Sequence, residues 1–128
     1  MKEYILALDQ STSGTKAILI DRAGAVACRS DLAHRQIVTP EGWAEHDPME
    51  IWANVLAVSR LVMERCGVEP GQIRAIAIAN QRETAVCWRR STGLPLYNAV
   101  TWQCARAEEL TWALSTRETE ARVRAVTG

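Results

Sequence analysis

Asp9-Gln10-Ser11-Thr12-Ser13-Gly14-Thr15-Lys16 sets a carboxylate, several hydroxyls, a glycine and a lysine in one unbroken run. It comes directly after the apolar stretch Tyr4-Ile5-Leu6-Ala7-Leu8. A carboxylate at a strand end holds Mg²⁺ directly or through water, and small residues beside Gly14 let backbone N–H groups approach phosphate oxygens. Lys16 adds a point charge. The pattern does not satisfy GxxxxGK[ST], and the residues after it read as a strand where a phosphate loop needs a helix. Asp, Ser, Thr and Gly are equally the residues of polar hairpin turns, so spacing alone leaves both readings open.

A second candidate is Asn80-Gln81-Arg82-Glu83, which ends the apolar run Ile73–Ala79. Arg82 carries a planar fork of donors and Glu83 accepts hydrogen bonds. Adjacent at a strand end, they can grip neighbouring hydroxyls of a small polyol from complementary sides. The competing reading is a surface ion pair contributing only ~0–1 kcal/mol. Trp102 offers an apolar wall for a ligand's carbon skeleton, although tryptophan most often packs against protein and the chain has 5 of them. Gly42-Trp43-Ala44-Glu45-His46-Asp47-Pro48 reads as scaffolding, with Trp43 packing the loop and Asp47 capping a helix. His46 has no nucleophile beside it in sequence.

The elements that must hold these residues follow from pattern. Tyr4–Leu8, Ala17–Ile20 and Val26–Leu32 are three short strands separated by turn chemistry, an antiparallel meander unlike a dinucleotide-binding opening. Residues 34–46 contain Pro40 and Gly42 without a sustained period and are expected to form a loop. Asp47-Pro48-Met49-Glu50 is a helix start, with a cap, a proline at the first helical position and a capping-box carboxylate. Ile51, Val55, Val58 and Val62 share one face of that helix, and Gly67 ends it.

Ile73–Ala79 has the composition of a strand covered on both faces. Thr84–Arg90 and Leu94–Asn98 flank a hairpin turn at Ser91-Thr92-Gly93. Residues 105–115 fit a helix with Ala107, Leu110 and Leu114 inward, and 117–126 a charged, poorly capped one. The expected fold class is α/β, with a mixed sheet that opens as a three-strand meander and is covered by helices.

Composition narrows the function classes. At 128 residues, with 15 basic and 15 acidic side chains and zero formal net charge, there is no basic tract for nucleic acid or an anionic membrane. No apolar run approaches the ~20 residues of a membrane span and the start lacks a secretory core, so a soluble cytoplasmic protein is expected. Cys28, Cys66, Cys87 and Cys104 show no CxxC pair and are read as reduced thiols.

ALDQSTSGTKA, GWAEHDPMEIW, IANQRET and YNAVTWQC, in that order over residues 6–104, together resemble the amino-terminal part of the FGGY carbohydrate kinases. The likeness is greatest to the members that phosphorylate glycerol. The resemblance implies a ribonuclease H-like fold, as in actin, Hsp70 and hexokinase, in which two such domains close on ATP. It implies Asp9 near Mg²⁺, Thr12, Ser13, Gly14 and Lys16 at the nucleotide phosphates, and Arg82, Glu83 and Trp102 around glycerol. Ser11, Gly14, Thr15 and Lys16 depart from the family's usual glycine, two serines and arginine, and Lys16 keeps the charge without the fork.

The resemblance also places the catalytic base, an aspartate, beyond residue 128, so residues 1–128 are expected to be an incomplete N-terminal domain of a longer and inactive-when-cut kinase. Glycerol and ATP are the expected partners. A kinase for another polyol or sugar, a non-catalytic sensor of the same fold, and a homo-oligomeric parent stay open.

Overall fold

Residues 2–128 are described by a computed structural model. β1 (Tyr4–Gln10) pairs antiparallel with β2 (Gly14–Asp21), which pairs antiparallel with β3 (Val26–Ala33), so the expected meander is present. On its other side β1 pairs in parallel with β6 (Ile73–Ala79), giving a mixed sheet of order β3-β2-β1-β6. The parallel neighbour needs a crossover, and α1 (Pro48–Cys66) supplies it.

α1 forms where its caps say it should. The Asp47 carboxylate accepts from the Met49 N–H at 2.8 Å, Pro48 occupies the first turn, and Gly67 closes the helix at φ 61°. That φ suits glycine because a Cβ is strained there. Val58 and Val62 are fully buried against Leu6, Leu8, Ala17 and Leu19, while Val55 packs at the edge of this core. Each such aliphatic side chain contributes roughly 1.5–3 kcal/mol by leaving water. Glu50 departs from expectation: its Oε1 accepts from the Arg35 backbone N–H at 3.0 Å, tying the incoming loop to the helix instead of closing a capping box.

The stretch expected as a loop contains β4 (Ile37–Val38) and β5 (Ala44–His46), which join β7 (Ala99–Val100) in a second, antiparallel sheet. Strands this short carry no readable period, and their partner lies more than fifty residues away. The turn at Gly93 (φ 71°) is present, with Arg89 N–H donating to Leu94 O at 2.8 Å, but only single bridges form around it.

Three other expectations are corrected. β6 stands at the sheet edge with residues 74–79 exposed, because among the described residues no element covers it. Beyond it, α2 (Glu108–Leu114) is shorter than expected and exposes Leu110 and Leu114. α3 (Arg117–Thr127) is capped after all, by Thr116 accepting from the Thr119 N–H. No described helix is long and apolar enough to cross a membrane.

The reading of four reduced cysteines also changes. Cys28 on β3 and Cys66 in the last turn of α1 are joined as a disulfide with Cα atoms 5.8 Å apart, while Cys87 and Cys104 are free. Closing a loop of sequence separation 38 removes unfolded-chain entropy equivalent to about 4 kcal/mol. Alkylation in denaturant, without reductant, is expected to label Cys87 and Cys104 alone. Labelling of all four before reduction refutes the pairing.

Candidate functional site

The parallel pairing of β1 with β6 sets Asp9 opposite Ala79, so both strands end at the same edge of the sheet. Ligands of open α/β sheets bind outside the carboxyl ends of parallel strands, where diverging connections leave a crevice. Such a crevice is present. Asp9, Gln10, Ser11 and Thr12 after β1 face Asn80, Gln81, Arg82 and Glu83 after β6, with Trp102 closing a cleft of ≈ 400 Å³.

The turn after β1 is held by its own hydrogen bonds. The Ser11 N–H and hydroxyl both donate to Gly14 O at 3.0 Å, and the Thr15 hydroxyl donates to Gln10 Oε1 at 2.6 Å. Lys16, opposite Asp9 in the ladder, puts Nζ 2.9 Å from Asp9 Oδ2. This leaves Oδ1 without a partner among the described residues. Thr12 is held from outside the turn. Its carbonyl accepts from Gln36 Nε2 at 2.7 Å, and its hydroxyl accepts from the Trp102 indole N–H at 3.0 Å. The hydroxyl's own proton is left to donate.

The polar end of β6 is tied to Trp102 through the backbone. Ala85 and Val100 exchange both N–H···O bonds at 2.9 Å, and Val100 lies opposite Glu45 in the second sheet. The buried Thr101 donates its N–H and its hydroxyl to Ala44 O, each at 3.1 Å. Below this, the buried Glu45 carboxylate accepts from Asn98 Nδ2 at 2.7 Å and from Arg106. The Asn98 amide first, and then the Arg106 guanidinium, hold Glu45 below the usual carboxylate range. Arg106 is correspondingly held above its ordinary value by Glu45, and it stacks 4.2 Å from the Trp43 ring centroid. Trp43 thus packs the loop as the sequence suggested.

Arg82 and Glu83 are exposed, and neither takes part in an ion pair among the described residues, so the reading of a simple surface pair has no support. Glu83 is also the only described non-glycine residue at positive φ, 54°. Left-handed backbone costs a side-chain-bearing residue about 1–2 kcal/mol, and such strain gathers at functional sites. Glu83→Gly is therefore expected to leave stability unchanged or raise it by up to about 1 kcal/mol in thermal melts. A clear loss of stability would mean the side chain serves the fold.

The structure brings together Asp9, Thr12, Arg82, Glu83 and Trp102, with Lys16 on Asp9. Ser13 is exposed and Gly14 buried, and neither lines the cleft. Gly14 has a steric role: a Cβ there comes 2.5 Å from Leu32 O, where β3 crosses. Sequence reasoning left Asn80 and Gln81 unassigned and did not single out Gln36; a lone glutamine carries no spacing signal.

Among the described residues no group of three or more His, Cys, Asp or Glu is placed to hold a metal. Asp9 alone fits the way Mg²⁺ is held in phosphoryl-transfer sites, by one carboxylate plus phosphate oxygens and water.

Comparison with known proteins gives this cleft a family. The chain is 46% identical over 125 residues to glycerol kinase 1 of Thermotoga maritima, covering 98% of this chain and 25% of the relative. It is 42% identical over 128 residues to glycerol kinase of Thermoanaerobacter pseudethanolicus, covering 100% and 26%. The chain thus spans about a quarter of the length of the curated relatives it matches.

Among solved structures, Plasmodium falciparum glycerol kinase with ADP superposes at TM-score 0.77 and 35% identity over 91% of this chain and 23% of that one. Ligand-bound xylulose kinase from Lactobacillus acidophilus superposes at TM-score 0.83 and 25% identity over 98% and 25%. The model of the N-terminal domain of the FGGY family of carbohydrate kinases matches residues 4–128, and the chain belongs to that family.

Proposed function

We propose that this chain is the N-terminal domain of a longer ATP-dependent kinase that phosphorylates glycerol. The observation that carries the reading is the single cleft in which the end of β6 and Trp102 face the turn after β1. The Arg82 fork and the Glu83 carboxylate hold neighbouring hydroxyls of the polyol, and Trp102 covers its carbons. A terminal hydroxyl is thereby aimed at the turn, where Thr12 O–H, backbone N–H groups and Lys16 hold the nucleotide phosphates.

Phosphoryl transfer asks for positioning and charge neutralisation more than covalent help from protein. Mg²⁺ beside Asp9, when bound, offsets phosphate charge. The base that takes the hydroxyl's proton is, by the family resemblance, an aspartate beyond residue 128. Cover for the exposed Ile76 and Ile78 of β6 is assigned to that same remainder.

At a ceiling of ~1.5 kcal/mol per heavy atom, a perfect pocket holds glycerol with about 9 kcal/mol, near micromolar, and half a pocket holds it far more weakly. Residues 1–128 alone are expected to show no glycerol-dependent ATP turnover. The full-length protein, assayed for ADP release with glycerol, xylulose and gluconate, is expected to prefer glycerol. Preference for xylulose reassigns the acceptor, and ADP release with none of the three supports a non-catalytic sensor.

A further inference from the structure

We infer that Gln36 is a positioning residue for the nucleotide-phosphate turn, fixing the Thr12 carbonyl through a relay that runs back to the buried His46. The inference rests on the reading above that Thr12 faces the nucleotide. Gln36 Nε2 donates to Thr12 O at 2.7 Å, and Gln36 Oε1 lies 2.8 Å from His46 Nε2. These two contacts determine each other. A carbonyl only accepts, so the Gln36 amide must present its NH₂ to Thr12 and its oxygen to His46, which requires the proton of neutral His46 to sit on Nε2.

The anchor end of the relay is rigid. His46 belongs to β5 and is 1% exposed, with the His34 ring packed edge-on at 4.4 Å. Burial first, then the neighbouring His34, hold His46 below its ordinary value against the weaker opposing pull of Glu50, so it stays neutral at pH 7. Gln36 itself is exposed, and its amide is oriented by Thr12 O at 2.7 Å, His46 Nε2 at 2.8 Å and a longer donation from Nε2 to His34 O at 3.5 Å. Thr12 receives two restraints from far along the chain, Gln36 on its carbonyl and Trp102 on its hydroxyl. Trp102 has independent backbone support from β7 and Thr101, so losing the Gln36 clamp loosens the nucleotide side selectively.

The test uses the full-length kinase with Gln36→Met, which keeps the length and loses every hydrogen bond of the amide, and Gln36→Glu, which still accepts from His46 but as a carboxylate cannot donate to Thr12 or His34. Both are expected to raise KM for ATP about tenfold, with KM for glycerol within twofold; Gln36→Glu, which keeps the acceptor for His46, leaves the melting temperature little changed, whereas Gln36→Met lowers it by leaving the buried His46 Nε2–H unpaired. A merely structural glutamine would lower melting temperature and active fraction without splitting the two KM values. Unchanged KM for ATP, parallel rises for both substrates, or full rescue by Gln36→Glu overturns the inference.

Should unaltered enzyme show no turnover with glycerol, the kinase reading fails by itself. Calorimetric binding of Mg-ADP to unaltered and Gln36→Met protein then decides Gln36: about tenfold weaker binding to the variant supports the clamp, and equal binding or no binding to either overturns it.

Discussion

Arg82→Ala in the full-length kinase is expected to lower kcat/KM for glycerol by a factor on the order of 10²–10⁴ while leaving KM for ATP within about twofold. The size follows from the hydrogen bonds involved. Each bond from a charged donor contributes about 1.5–3 kcal/mol, and in the proposed grip the guanidinium fork would reach neighbouring hydroxyls with two of them. Arg82→Lys keeps the charge but offers one donor direction at a time, so its loss falls between those of alanine and the parent. Fold stability is not expected to move, because Arg82 is exposed and makes no ion pair among the described residues. Steady-state kinetics with each substrate varied in turn checks the split. Equal rises in both KM values would remove Arg82 from the polyol.

The two halves of that cleft were unequally legible. Local chemistry announced itself: Asp47, Pro48 and Gly67 mark the limits of α1, and the run ending at Leu8 followed by Asp9 to Gly14 marks β1 and its turn. What stayed hidden depends on contacts between distant residues. β4 and β5 are too short to show a period, and they exist because β7 pairs with them. The Cys28–Cys66 bridge and the Trp102–Thr12 bond join positions 38 and 90 apart, which no spacing rule reaches.

The composition of Ile73–Ala79 is that of a strand covered on both faces, yet residues 74–79 are exposed, and among the described residues nothing lies over them. For Arg82 and Glu83, spacing could not separate a polyol grip from an ion pair. The family resemblance favoured the grip, and the structure adds their lack of mutual pairing and the positive φ of Glu83.

Asp9→Asn is expected to separate two effects that unfolding cannot separate. The substitution keeps shape and still accepts from Lys16 Nζ, so the turn is retained. On the proposed reading it removes the carboxylate that would stand beside Mg²⁺, and the charge stabilisation lost, about 3–5 kcal/mol, is expected to lower kcat by a factor on the order of 10²–10⁴ and to raise the Mg²⁺ concentration for half activity. Metal-free nucleotide should respond in the opposite sense. In the parent, the Asp9 carboxylate repels bare phosphates even with Lys16 beside it; in the variant Lys16 is left as uncompensated positive charge.

Asp9 is 43% exposed, so solvent screening holds this repulsion to roughly 1 kcal/mol, or about fivefold tighter binding of metal-free ADP to the variant. Slower turnover together with tighter metal-free binding cannot come from loss of folded protein, which weakens both. Weaker binding of metal-free ADP to Asp9→Asn, or an unchanged Mg²⁺ dependence of turnover, would detach Asp9 from the metal and make its contact with Lys16 a purely structural one.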